Sequence, residues 1–160
     1  MKSRRKIPTL KSSHVFAVVF VLTLTLAAQA TDFAHCTKAA VAGKWTFTTN
    51  GSIPGIGPVA AVGSYVSDGS GKLAGSQTRS LNGDVADETF TGTLTVNPDC
   101  TGTAVIQVFE AGEVVRTSTL SLIYDYDNRK ARAIFRSLVL PDGTNLSSIL
   151  TIDFRRVIPE

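Results

Sequence analysis

Residues 85–103 read Val85-Ala86-Asp87-Glu88-Thr89-Phe90-Thr91-Gly92-Thr93-Leu94-Thr95-Val96-Asn97-Pro98-Asp99-Cys100-Thr101-Gly102-Thr103. Phe90, Leu94 and Val96 fall on one parity, and Thr89, Thr91, Thr93 and Thr95 on the other. A period of two in a Thr-rich run predicts a strand with one buried face and one solvated face. Asn97-Pro98-Asp99 breaks the run, since Pro cannot donate to a ladder and Asn and Asp favour turns. A second alternating run begins at Thr101.

The same pattern extends in both directions. From Gly43 onward the chain predicts eight strands, at about 43–50, 58–67, 71–80, 85–96, 101–110, 114–126, 130–140 and 146–156. The connections are short and turn-like: Ser67 to Gly71, Leu81 to Asp84, Asn97 to Gly102, Ala111 to Glu113, Asp127-Asn128 and Pro141 to Gly143. The longest is expected at Gly51 to Pro58. No apolar period of 3.6 residues stands out after the first 30 residues. Consecutive hairpins make a meander, and eight meandering strands can bury their apolar faces and remove their edges by closing into a barrel. The expectation is an all-β, eight-stranded antiparallel up-and-down barrel. A two-sheet sandwich would need longer crossovers. A barrel of this size can be filled by side chains or can hold one small ligand.

Parity assigns the interior. Trp45 and Phe47 share a face, as do Phe90 and Leu94. Leu120, Leu122, Tyr124 and Tyr126 align, as do Ala131, Ala133, Phe135 and Val139, and then Leu150, Ile152 and Phe154. Gly63, Gly75 and Gly92 fall within strands, where they either leave room for a ligand or let the sheet bend. Lys130, Arg132 and Arg136 form a cationic stripe that acids on adjacent strands are expected to meet. The Thr-rich outer face reads as a solvated surface of good strand formers.

Charge and composition bound the function. Lys2, Arg4, Arg5, Lys6 and Lys11 precede the first acid, Asp32. Residues 15–28 form an apolar run that ends in Ala28-Gln29-Ala30, which together predict a secretory signal peptide over 1–30. The run is shorter than the ~20 residues of a membrane-spanning helix. A Thr31–Glu160 remainder would consist of an arm at 31–42 and one barrel domain at 43–160, exported to the periplasm or the medium, with no membrane attachment after cleavage. Ser3-Arg4-Arg5 leaves twin-arginine export open. Without the first 30 residues, 11 basic groups face 13 acidic ones. That balance argues against a nucleic-acid partner.

Two cysteines, Cys36 and Cys100, fall after the cleavage point. In an oxidising compartment they read as a disulfide, with two free thiols as the other possibility. The bridge would close a loop of about 65 residues, worth roughly 4 kcal/mol in the chain-entropy model. His35 is the one histidine after residue 30 and sits in the arm. It is poorly placed for a nucleophile–base pair. One His and two paired Cys supply no zinc site, and nothing in the sequence calls for a metal or a cofactor.

Three segments carry a resemblance: Val41-Ala42-Gly43-Lys44-Trp45-Thr46-Phe47, then residues 61–75 (AVGSYVSDGSGKLAG), then residues 90–103 with their Asp99-Cys100-Thr101-Gly102 turn. Together they resemble a family of uncharacterised exported bacterial proteins with an allene oxide cyclase-like barrel. The resemblance covers most of residues 41–156. It implies an eight-stranded antiparallel barrel and little about activity, and no catalytic residue of the plant cyclase maps onto this chain. A weaker likeness is to lipocalins, in the Gly43-Lys44-Trp45 opening and in Tyr124-Asp125-Tyr126. It implies an Arg late in the last strand packed near the Trp, here Arg156 near Trp45, as barrel-closing structure.

Three functional readings follow. A ligand carrier would line its lumen with Trp45, Phe47, Phe90, Leu94, Tyr124 and Phe135, unless these simply fill the interior. An enzyme would place Glu88 and Arg116, both of inward parity near strand ends, at the barrel mouth, unless they reach solvent there. The reading favoured from sequence is a non-catalytic exported barrel that binds a small apolar molecule or serves as a stable module. The alternative is an allene oxide cyclase-like isomerase or cyclase working in the lumen.

Overall fold

A computed structural model describes residues 35–158. The signal peptide expected over 1–30 lies outside the described residues. Eight strands follow one another: β1 (Gly43–Ile53), β2 (Gly57–Ser67), β3 (Lys72–Leu81), β4 (Asp84–Val96), β5 (Thr101–Glu110), β6 (Glu113–Tyr124), β7 (Lys130–Val139) and β8 (Ile149–Arg156). Each pairs antiparallel with the next, and β8 pairs with β1, giving a closed eight-stranded meander barrel. The all-β barrel expected from alternation is therefore the fold.

Alternation dictates the inside. Trp45, Phe47, Phe90, Leu94, Tyr124, Ile152 and Phe154 are buried in one cluster, with Phe135 packed against it. Their rings meet edge-on or tilted, at centroid distances such as 5.9 Å for Phe47–Phe90 and 5.8 Å for Phe47–Phe154. Such arrangements suit the ring quadrupole. The strand glycines make room for these rings. A Cβ on Gly63 would stand 2.6 Å from Phe47 Cζ, and one on Gly75 would stand 2.7 Å from Phe90 Cζ. The space those glycines leave is thus taken by aromatic side chains.

Two bulges shift the parity. Leu120 pairs with Phe135 and Thr119 with Ser137, which leaves Arg136 as an extra residue on β7. An extra residue turns the following side chains to the opposite face. Leu138 is therefore buried, where parity had assigned Val139 to the interior. Val115 is the extra residue on β6, between the Val108–Arg116 and Phe109–Val114 pairs. Tyr126, also expected inside, lies past the end of β6 and is 69% exposed, with its ring 4.8 Å from that of His35.

The loops also differ in detail. β1 runs on to Ile53 because Gly51 and Gly57 take positive φ and keep the ladder to β2 intact. A Cβ on Gly51 would lie 1.9 Å from the Ile149 carbonyl oxygen, so only glycine fits there. The longest connection is instead that between β7 and β8, where Leu146 N donates to Leu138 O and Val139 bridges Asn145. On the outside, Arg132 of the cationic stripe lies 3.4 Å from Asp153, both well exposed. Such pairs contribute little.

One end of the barrel is closed by the arm. Cys36 is bonded to Cys100 in the turn between β4 and β5, at a Cα separation of 5.0 Å. The backbone from Thr37 turns back so that Val41 N donates to Thr37 O, and Val41 is fully buried. Trp45 Nε1 donates to Val41 O at 2.9 Å. Asn128, in the β6–β7 turn, donates through Nδ2 to His35 O at 2.6 Å. Arg156 stands opposite Trp45 in the β1–β8 register, and its guanidinium donates to the carbonyls of Ala40 and Ala42. Trp45 and Arg156 thus each hold the backbone of the arm.

Candidate functional site

The opposite end carries the β1–β2, β3–β4, β5–β6 and β7–β8 connections. There the interior is not filled. A cavity of about 160 Å³ lies under Ile53, Val59, Leu138, Leu146 and Leu150, with Arg79, Glu88 and Arg116 on its wall. A smaller void of about 50 Å³ lies deeper, between Phe47, Phe90, Leu94, Leu122 and Phe154. Thr49, Gln77, Arg116 and Phe135 border both spaces. Phe135 and this polar group therefore form the partition between them.

The sequence places the charges there through hairpin geometry. β3 and β4 are joined by a tight turn in which Asn82 and Gly83 both take positive φ. That turn sets Gln77 opposite Glu88 in register. Gln77 Nε2 donates to Glu88 Oε2 at 2.6 Å, and Arg79 Nε donates to Oε1 at 2.7 Å. From β6, Arg116 closes a two-point pair, with Nη1 to Oε1 at 2.7 Å and Nη2 to Oε2 at 2.6 Å. The Glu88 side chain has no solvent exposure, and those of Arg79 and Arg116 have 13% and 15%. Inward parity pointed to Glu88 and Arg116, and the structure brings them together inside the wall, away from solvent.

Electrostatics decide what Glu88 can do. Burial pushes its carboxyl pKa up; the hydrogen bonds and charge of Arg116, followed by the hydrogen bonds of Gln77 and Arg79, outweigh burial and lower the pKa to about 2. The group is a carboxylate at neutral pH and has no proton to give. Burial raises Tyr65 well above its ordinary pKa, with the nearby Tyr124 adding to the effect, and burial raises Tyr124 likewise. Both are neutral phenols in the packed end of the barrel. Tyr124 Oη and Ser118 Oγ are buried without a hydrogen-bond partner.

The aromatic lining residues named from sequence divide between the two ends. Trp45 and Tyr124 pack at the closed end, edge to face at 5.9 Å. Phe47, Phe90 and Leu94 line the small inner void, and Phe135 borders both spaces. Sequence reasoning missed Arg79, Gln77, Ile53, Val59 and Leu138, whereas Leu150 has the inward place that parity gave it. Gln77 was within reach of the Asn82-Gly83 hairpin signal, which fixes its register against Glu88. Leu138 was hidden by the bulge at Arg136.

Among the described residues no group of three or more His, Cys, Asp or Glu side chains is arranged to hold a metal ion. No helix among them is long and apolar enough to cross a membrane, which says nothing of crossing by strands.

No family model matches the chain and no curated protein matches it, so the resemblance drawn from residues 41–103 stands on its motifs alone. Solved structures do resemble it. The protein EF1p2_mFAP2b, solved bound to DFHBI, is 14% identical with a TM-score of 0.55, over 75% of this chain and 98% of that one. Rv2717c from M. tuberculosis is 16% identical with a TM-score of 0.40, over 74% of this chain and 93% of that one. At 14% identity the likeness to EF1p2_mFAP2b concerns the fold alone, here a closed eight-stranded antiparallel barrel.

Proposed function

We propose that this chain is an exported barrel that binds one small, largely apolar molecule in its lumen, through the end away from the arm. The observation that carries the reading is the cavity of about 160 Å³ behind an aliphatic rim, in a barrel whose other end is sealed. An apolar protein cavity of ~150 Å³ is large enough to take up benzene. The size suits a ligand of some six to ten heavy atoms, or a longer one that displaces Phe135 and reaches the inner void. Ile53, Val59, Leu138, Leu150 and Phe135 would form the contact surface, with Phe47, Phe90 and Leu94 behind the partition. Trp45 and Tyr124 belong to the closed end and would support the lumen without touching its contents. The small-molecule complex of EF1p2_mFAP2b is consistent with this use of a barrel of similar fold. Export is supported by the leader pattern of residues 1–30 and by the Cys36–Cys100 disulfide, since such bonds persist in oxidising compartments.

The test is native mass spectrometry of the protein exported from its own host, followed by denatured intact mass. A stoichiometric small-molecule adduct that departs on denaturation is expected. An apo mass, together with no uptake of small aromatic or alkyl probes by the purified barrel, would refute the reading.

A second reading is a cyclase-like isomerase in the same lumen, as the resemblance to allene oxide cyclase-like barrels suggests. The charged Glu88–Arg116 pair set in an apolar wall favours it. Glu88 would then act through its fixed negative charge. Glu88→Gln would abolish turnover in such an enzyme, whereas a carrier has no turnover to lose.

A further inference from the structure

The charges of the cavity wall answer one another: Arg79 and Arg116 stand against Glu88 and Glu110. Both oxygens of Glu88 are taken, by Arg116 at two points and by Gln77 and Arg79 at one each. Arg79 Nη1, Ser118 Oγ and Tyr124 Oη lack a partner, but protein encloses all three, so none of them can meet a ligand. Two other polar groups are placed differently. Thr49 points inward from β1, is only 5% exposed, and borders both the cavity and the inner void. Gln77, on β3, borders the same two spaces. Neither Thr49 Oγ1 nor Gln77 Oε1 has a hydrogen-bond partner among the described residues, and neither is enclosed as those three atoms are. Gln77 Nε2 is spent on the Glu88 carboxylate, which fixes the orientation of the amide and leaves Oε1 as an acceptor. The Thr49 hydroxyl can donate or accept. A hydroxyl and an amide oxygen facing an apolar chamber are costly to dry out unless the molecule that enters supplies their hydrogen bonds.

We propose that the lumen ligand is a small neutral alcohol, its hydroxyl held at the partition by Gln77 Oε1 and Thr49 Oγ1 and its apolar body against Ile53, Val59, Leu138 and Leu150. This deepens the lumen-binding reading and rests on it. A hydroxyl carries one donor and two acceptor lone pairs. It donates to Gln77 Oε1, which can only accept, and its oxygen takes the proton of Thr49. A carboxylate suits the seat badly: it has no proton for Gln77 Oε1, and both arginines of the wall are already ion-paired. Glu88 is a positioning residue here, since its bond to Nε2 turns Oε1 of Gln77 away from the charge cluster.

The experiment is isothermal titration calorimetry on the oxidised protein at pH 7, with benzyl alcohol, its apolar isostere ethylbenzene, and the anion benzoate. Benzyl alcohol should bind, and benzoate should bind at least about tenfold more weakly. Thr49→Val keeps the shape of the side chain and removes a hydroxyl that holds nothing else in place. It should weaken benzyl alcohol by about three- to tenfold, the worth of one neutral hydrogen bond, and leave ethylbenzene unchanged or slightly tighter. Gln77→Met, which removes Oε1, should lower the ratio of benzyl alcohol to ethylbenzene affinity by a similar factor. Ethylbenzene binding with no benzyl alcohol binding, or a ratio that neither variant changes, would overturn the alcohol seat and leave the lumen reading standing. Benzoate as tight as benzyl alcohol would overturn the neutral head. Heat from none of the three would overturn the seat and remove the lumen reading for ligands of this size as well.

Discussion

Replacing Glu88 with Gln removes a single charge from the interior, and its effect can be worked out against pH. In the folded protein the carboxyl has a pKa of about 2, against 4.5 for the unperturbed group. A depressed folded value gives stability that is present above the unfolded pKa and is lost as pH falls through the folded one. At about 1.4 kcal/mol per unit, ionised Glu88 contributes about 3 kcal/mol at pH 7. The same linkage gives about 3 kcal/mol at pH 4.5, about 1.5 at pH 3 and under about 0.5 at pH 2. The glutamine of Glu88→Gln keeps the shape and one acceptor but not the charge, so the variant approximates protonated Glu88 at every pH. It should therefore be less stable than the parent by about 3 kcal/mol at pH 7, and the gap should close between pH 4.5 and 2. Asp68, Asp99 and Asp142, whose pKa values are also lowered, titrate equally in both proteins and cancel in the difference. The assay is urea unfolding followed by tryptophan fluorescence, since Trp45 is the one tryptophan and is fully buried. A gap that stays constant from pH 7 to pH 2, or is absent at pH 7, would refute the view that Glu88 is a buried carboxylate held by Arg116 and Arg79.

Three further outcomes follow from the packing. Reducing Cys36–Cys100, or replacing both residues with Ala, should cost about 4 kcal/mol for a loop of this length and lower the thermal midpoint by roughly 15 °C, read by calorimetry with and without reductant. Gly63→Ala should destabilise by about 1–3 kcal/mol in urea melts, because its Cβ would lie 2.4 Å from Ser76 O and 2.6 Å from the Phe47 ring. Phe135→Ala should cost about 3 kcal/mol and join the two voids, so that the barrel accepts a probe several carbons longer than the parent does, as measured by calorimetric titration of alkyl probes.

The strand pattern was readable because the barrel obeys one rule along most of its length. A residue's parity decides whether it meets water, and Phe90, Leu94, Leu120, Leu122, Ile152 and Phe154 all follow it. The rule fails where one extra residue enters a strand. Nothing local in Phe135-Arg136-Ser137 announces a bulge; it arises from how β7 must fit β6 and β8 together. Val139 was therefore given an inward place that Leu138 takes. The site was half readable for a related reason. Glu88 and Arg116 lie 28 residues apart in sequence, and parity placed both inside. Their pairing depends on the stagger of β4, β5 and β6, which alternation does not encode. Arg79 was missed because β3 has few large apolar residues to mark its inner face: Gly75 and Gln77 occupy positions where an aliphatic residue would have revealed the parity.

The seam between β1 and β8 has a consequence for how the chain can be cut. Seven of the eight ladders join neighbours in sequence, while this one pairs Trp45 with Arg156, and Val157 N donates to Lys44 O just beyond it. The first and last strands therefore lie side by side, with the start of β1 and the end of β8 both at the sealed end. A short linker could join those ends, and new ones could be opened at the exposed Asn82-Gly83 turn, the kind of loop tip where circular permutation succeeds. In such a permutant the β1–β8 ladder becomes a local hairpin and the β3–β4 ladder becomes the long-range closure. Every contact of the barrel would be preserved while the slow, nonlocal step of folding moves from a seam beside the arm to one beside Glu88.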